Sequence, residues 1–145
     1  MDIIDRSALV PYTPGEMFAL VSDINAYPEF LPWCSAARIL SQEGDEITAQ
    51  IAFSVSGVGK SFTTRNRQRP GAGIDIQLID GPFSQLQGRW RFDALGDAGS
   101  KISLFLEYDF SSKMVALAIG PVFNKIANTL VDAFQKRAAD VYGKR

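Results

Sequence analysis

The spacing of hydrophobic positions changes along the chain, and each change marks an element. Ile3 to Val10 is a short apolar-rich opening that stops at Pro11. Thr13-Pro14-Gly15-Glu16 then reads as a capping box with proline at the first helical position, so a helix is expected to begin near Pro14. Its residues Met17, Phe18, Leu20 and Val21 form a patch that must be buried, and the pattern ends at Ser22-Asp23. One or two short turns are expected through Tyr27-Pro28-Glu29-Phe30-Leu31-Pro32-Trp33, because each proline disfavours helix at the residue before it.

From Ala36 the period becomes two. Ile47, Ala49, Ile51, Phe53 and Val55 share one face and Thr48, Gln50, Ala52 and Ser54 the other, which predicts a half-buried strand. Gly57-Val58-Gly59 turns the chain into a more polar strand from Lys60 to Arg69. Two further strands follow, with Ile74, Ile76 and Leu78 alternating in one and Leu86, Gly88, Trp90 and Phe92 in the next, the turn between them at Asp80-Gly81-Pro82-Phe83. Gly96-Asp97-Ala98-Gly99 leads into the last, with Ile102, Leu104, Leu106, Tyr108 and Phe110 on one face. Evenly spaced turns between alternating strands predict an antiparallel meander with one face in the core.

Helical spacing returns from about Lys113 to Tyr142, where Val115, Ile119, Val122, Phe123, Ile126, Leu130, Phe134, Ala138 and Val141 fall on one stripe. Gly120-Pro121 interrupts it and predicts a kink, or a short helix leading into a longer one. These elements bury all their apolar faces only if the sheet curls around the terminal helix, an α+β arrangement that commonly leaves a cavity between them. No repeat or linker-like stretch divides the chain, so residues 1–145 are expected to form one domain.

Composition narrows the chemistry. The absence of histidine removes Ser-His-Asp and Cys-His catalysis and the usual imidazole ligands of catalytic zinc. The single cysteine, Cys34, rules out an internal disulfide and reads as a small buried hydrophobe. With a net charge of −1, contact with a polyanion must come from a local patch, and no DNA partner is expected. Met1 to Arg6 has no signal-like character, so a cytoplasmic setting is expected, with peripheral contact at the inner membrane as an extension.

Few motifs carry chemistry. Gly57-Val58-Gly59-Lys60-Ser61 resembles the end of a phosphate loop, but Ser54 stands where the leading glycine belongs and a strand follows. Asp23, Asp80 and Asp109 lie near element ends, where capping and turn formation account for them, and no carboxylate pair or metal set stands out. Arg65, Arg67 and Arg69 share strand parity and, with Lys60, form either a solvated outer face or a basic patch for phosphate or anionic headgroups. Tyr27, Phe30, Leu31 and Trp33 either close the core as a lid or stand at the mouth of an apolar cavity. Met114 to Ile119 is apolar on every side, so this turn is either simply buried core or, with the Phe30–Trp33 segment, an exposed rim for a bilayer or a partner.

Tyr-Pro-Glu-Phe-Leu-Pro-Trp-Cys at 27–34, Thr-Thr-Arg-Asn at 63–66, and Asp-Gly-Pro-Phe at 80–83 followed by Gly88-x-Trp90-x-Phe92 resemble the coenzyme Q-binding branch of the START and polyketide-cyclase superfamily. The resemblance runs from Ser7 to Tyr142 and implies a helix-grip START-like fold with a cavity for a ubiquinone-type molecule. It covers equally the ribosome association toxin family, whose members block the joining of ribosomal subunits. Three functions follow as expectations. The first is non-enzymatic binding of ubiquinone or another polyprenyl lipid, as a carrier or chaperone for respiration or quinone synthesis; ubiquinone is then a bound ligand, and no cofactor is required. Phe30, Leu31, Trp33, Phe53, Phe62, Trp90, Tyr108, Phe123 and Ile126 are expected to contact it. The second is an inhibitor on the large ribosomal subunit, the toxin of a toxin-antitoxin pair, acting through Lys60, Arg65, Arg67 and Arg69. The third is a polyketide cyclase-like enzyme, for which the residues supply no identifiable acid or base.

Overall fold

The computed structural model describes residues 1–55 and 57–145, the side chain of Val55 excepted, so the expected inward place of Val55 lies outside the described residues. The chain runs β1 (Asp2–Val10), α1 (Pro14–Ser22), a 3-10 turn (Ile24–Ala26), α2 (Tyr27–Phe30), β2 (Cys34–Glu43), β3 (Glu46–Val55), β4 (Val58–Arg69), β5 (Gly73–Asp80), β6 (Phe83–Leu95), β7 (Gly99–Phe110) and α3 (Lys113–Tyr142). The strands form one seven-stranded sheet in the order β1-β7-β6-β5-β4-β3-β2. Every neighbouring pair is antiparallel. Only the link from β1 to β2 crosses the sheet, and it carries α1, the 3-10 turn and α2 from one edge to the other.

The sheet curls because its ladder is interrupted. Ser35 and Leu40 in β2, Ile79 in β5 and Ser84 in β6 are each an extra residue at a register shift, and such bulges bend a strand and add twist. Gly88 sits where a Cβ would lie 2.4 Å from the Phe105 carbonyl oxygen, so only glycine fits that approach of β6 to β7.

α3 lies in the resulting trough, with Ile119, Phe123, Ile126, Ala127, Val131, Phe134 and Ala138 buried. Its length and composition would suffice for a membrane span, but here the sheet covers that apolar face. Two aromatic knobs hold it. Phe123 meets Phe53, Phe83 and Tyr108 at ring-centroid distances of 5.6, 4.9 and 4.9 Å. Phe134 meets Tyr27, Phe30 and Trp90 at 5.6, 5.5 and 5.4 Å. Truncating a buried Phe to Ala costs about 3–5 kcal/mol, so each knob is a substantial share of a domain's net stability.

Three expectations about elements are corrected. The span from Ala36 is not one strand but the hairpin β2–β3, turned at Gly44, whose φ of 59° suits glycine. Edge strand β2 is largely exposed and so carried no alternation to mark it. Of the two outcomes expected at Gly120-Pro121, the split into two helices does not occur, since α3 runs unbroken through Pro121. Val141, placed on the buried stripe, is exposed, whereas Ala127 and Val131 are buried.

The C-terminus is clamped to α1. The capping box forms as expected, Glu16 N–H donating to Thr13 Oγ1 and Thr13 N–H to Glu16 Oε1. Arg145 donates to both Glu16 carboxylate oxygens at 2.7 and 2.8 Å, and the Tyr142 hydroxyl donates to the Glu16 carbonyl at 2.9 Å. The Arg145 guanidinium, and then the Thr13 N–H, hold the Glu16 carboxyl at about 2, below its usual 4.5. A depressed folded-state pKa contributes stability that is complete above the unfolded value and lost as pH falls through the folded one. Glu16→Gln should therefore lower Tm slightly above pH 4.5, and its difference from wild type should vanish as pH falls to about 2, as thermal melts across that range would show.

Candidate functional site

Between the two aromatic knobs α3 presents Ile126, Ala127 and Leu130, and there the helix and sheet do not meet completely. The space left is a cavity of about 100 Å³. Its walls come from α3, from the inward residues of β3 to β7, and from Val21, Ile24, Tyr27 and Trp33 on the crossing segment. A groove of about 600 Å³ opens beside it on the surface, between Pro32, Trp33 and Ser54 on one side and Pro121, Val122, Lys125 and Thr129 of α3 on the other. Trp33 and Ile126 line both spaces and stand between them.

Among the described residues no Asp, Glu, Lys or Arg lines the cavity. Its polar members are Ser22, Tyr27, Trp33 and the row Thr64, Asn66 and Gln68 on β4. The Tyr27 hydroxyl is spent on the Val21 carbonyl, and burial pushes its pKa upward. Burial likewise raises the Cys34 thiol, keeping it neutral, with its Sγ donating to the Ala36 carbonyl at 3.4 Å. Among the described residues no cluster of three or more side chains suited to a metal occurs.

Of the residues expected to contact a ligand, Trp33, Phe53, Phe62, Trp90, Phe123 and Ile126 line the cavity. Three do not. Phe30 packs on Phe134 and under the Arg137 guanidinium, 4.7 Å from its ring centroid. Leu31 is buried in the core behind the cavity wall. Tyr108 is sealed against Phe83, Phe110 and Phe123, with its hydroxyl donating to Asn124 Oδ1. Thr64, Asn66 and Gln68 also stand in the cavity wall without having been expected there, although the sequence carries their signal: they alternate with the arginines and must face the opposite way.

The convex face of β4 carries those arginines. Arg65 and Arg67 reach Glu46 at 3.0 and 3.8 Å, and Arg69 reaches Asp75 at 2.7 Å. Cross-strand register continues the face onto β6, where Arg89 stands opposite Asp75 and Arg91 opposite Gly73. Among the described residues no salt bridge holds Arg89 or Arg91. Lys60 does not join this face. It is paired with Phe53, and directly opposed residues share a face, so it belongs to the concave side at the end of β4.

The expected rim is half present. Met114 and Leu117 are 80% and 82% exposed, whereas Ile119 is only 3% exposed.

A curved sheet gripping a C-terminal helix over an internal apolar cavity defines the START-like helix-grip class. The chain belongs to the polyketide cyclase/dehydrase and lipid transport family, whose model matches residues 10–135. It is 45% identical to ribosome association toxin RatA of Vibrio cholerae, over 99% of this chain and 100% of that one. It is 24% identical to the mitochondrial coenzyme Q-binding protein COQ10 homolog B of Xenopus laevis, over 97% of this chain and 59% of that one. The Zhui aromatase/cyclase of Streptomyces sp. R1128 superposes with a TM-score of 0.83 at 13% identity, over 99% of each chain, a likeness of fold alone.

Leu117→Ser should leave Tm nearly unchanged, whereas Ile119→Ser should cost about 2 kcal/mol or more, a drop of several degrees. Parallel melts of the two variants check the division of this turn into an exposed and a buried side.

Proposed function

We propose that this protein acts on the ribosome without catalysing a reaction, associating with the large subunit in the cytoplasm and hindering subunit joining. The observation that carries this reading is the 45% identity, along the whole chain, to a protein named for ribosome association. The convex arginine face suits the task. Guanidinium groups spread over neighbouring strands match a phosphate backbone, and two of them, Arg89 and Arg91, are held by no salt bridge among the described residues. The test is co-sedimentation with purified large subunits over a salt series. Binding should weaken steeply with salt. Arg65→Ser, Arg67→Ser and Arg69→Ser combined with Arg89→Ser and Arg91→Ser should weaken it at least about tenfold and flatten the salt slope by about one for each phosphate no longer neutralised. Binding that is absent in the wild type would end the reading, and unchanged binding in the variant would remove this face from it.

A second reading is favoured by the cavity itself: the protein holds a hydrophobic small molecule, of the kind named in its coenzyme Q-binding relative. Each methylene moved from water into such a space contributes about 0.8 kcal/mol, so an isoprenoid chain needs little polar help. Trp33 and Trp90 both line the cavity and report on its occupant. A ubiquinone analogue should quench their fluorescence with about one molecule bound per chain and raise Tm. Saturating quinone that changes neither would end this reading.

A further inference from the structure

We propose that the convex face of the sheet binds an unpaired stretch of RNA, with one base stacked on Phe105 and Arg89 and the neighbouring phosphates held by Arg67, Arg69 and Arg91. The proposal rests on the reading of that face as a ribosome-binding surface and adds the form of RNA it selects and the residues that select it.

The face is an ordered array, because directly opposed residues of an antiparallel sheet share a side. One row crosses five strands as Arg67, Asp75, Arg89, Phe105 and Asp5. The next row reads Arg69, Gly73, Arg91, Ser103 and Ser7. At ordinary sheet spacing Arg67 and Arg89 stand roughly 10 Å apart across the strands, and the two rows roughly 7 Å apart along them. Gly73 puts no side chain between Arg69 and Arg91, which leaves a notch where both guanidinium groups can meet one phosphate. The exposed pair of Arg69 with Asp75 is weak enough to be exchanged for it.

Phe105 adds what phosphate binding alone does not use. The other rings of the sheet lie in the two buried clusters or pack against them. Phe105 belongs to neither and stands half-buried on the outer side, between Arg89 and Asp5. The Arg89 guanidinium lies over it, 5.6 Å from the ring centroid. The ring thus orients a planar cation that no salt bridge holds among the described residues. Aromatic rings and guanidinium planes are the surfaces on which splayed nucleic-acid bases stack.

Unpaired RNA is selected by access. In a duplex the bases stack on one another and turn only their edges outward, so none reaches the ring. A single strand offers base faces and bends over a convex surface that a stiff duplex touches along a line. Carboxylates then fix where the backbone runs. Asp5 stands beside Phe105 on β1, and Glu107, which accepts from the Gln87 amide, lies in the adjoining row. These groups repel phosphate, so the backbone stays over β4 to β6 and only a base reaches across to β7.

The experiment measures binding of a short oligoadenylate, an abasic strand and an RNA duplex of the same length, by fluorescence anisotropy over a salt series. Wild-type protein should bind oligoadenylate at least about tenfold more tightly than either control. Phe105→Leu should weaken oligoadenylate at least about fivefold, leave the abasic strand nearly unaffected and keep the salt slope, because stacking releases no counterions. Phe105→Trp should bind at least as tightly as wild type. Arg91→Ser should instead weaken both strands and flatten the slope by about one. Should Phe105→Leu fail to fold, Arg89→Lys, which keeps the charge and loses the plane, carries the same test. Equal affinity for oligoadenylate and the abasic strand, a duplex bound as tightly, or a folded Phe105→Leu with undiminished affinity overturns the base site. Phosphatidylglycerol vesicles that displace oligoadenylate from the face and bind it more tightly overturn the assignment to RNA. Large subunits that sediment with wild type while the RNAs show no base preference would leave the ribosome reading standing and remove the base site alone. If neither large subunits nor any RNA binds folded wild type, that reading fails and this proposal with it.

Discussion

The structure depends on two phenylalanines placed eleven residues apart on one helix. Eleven residues are close to three full turns, so Phe123 and Phe134 project from the same side of α3 about 16 Å apart. Each enters its own cluster of rings, Phe123 among residues of β3, β6 and β7, and Phe134 between Trp90 and the α2 segment. Aromatic pairs prefer edge-on geometry and bury large areas, so these two points fix the helix in the trough with little freedom to slide. Where the helix passes between them it presents Ala127, whose short side chain does not fill the gap to the sheet. The cavity is thus a consequence of how the helix is held.

This arrangement makes the crossing segment between β1 and β2 part of the site. Tyr27 packs on Phe134 and spends its hydroxyl on the Val21 carbonyl, which ties α2 to the end of α1 and holds the following Leu31 in the core. Trp33 is then left half-buried between the internal cavity and the outer groove. A tight motif of prolines and aromatics therefore acts mainly as a clasp on the helix, while its Tyr27 and Trp33 also line the cavity.

Strand β4 serves two surfaces at once. Because side chains alternate across a sheet, Arg65, Arg67 and Arg69 stand on the convex face while Thr64, Asn66 and Gln68 stand on the concave one. The two proposed activities consequently occupy opposite sides of the same strand. The sheet separates the arginine charges from the cavity, so an uncharged interior and a basic exterior coexist. Ion pairs with Glu46 and Asp75 temper that exterior, and surface pairs of this kind are weak enough to be exchanged for a phosphate.

Much of this was determined by local patterning. The capping box at Thr13–Glu16, the alternation of β3 to β7 and the helical stripe of α3 are properties of neighbouring residues, and backbone hydrogen bonding turns each into an element wherever the chain goes. The same patterning marked most of the cavity wall, because large aromatics on inward positions have to meet α3. Other features had no local signature. The β2–β3 hairpin was hidden because an exposed edge strand has no need to alternate. Phe30, Leu31 and Tyr108 carry the composition of a ligand site yet are used as core, since what lies opposite a side chain is decided by residues far along the chain. Asn66 and Gln68 were legible as facing away from the arginines, but only the tertiary structure decided that they face a cavity, because a cavity is the volume that packing elsewhere leaves empty.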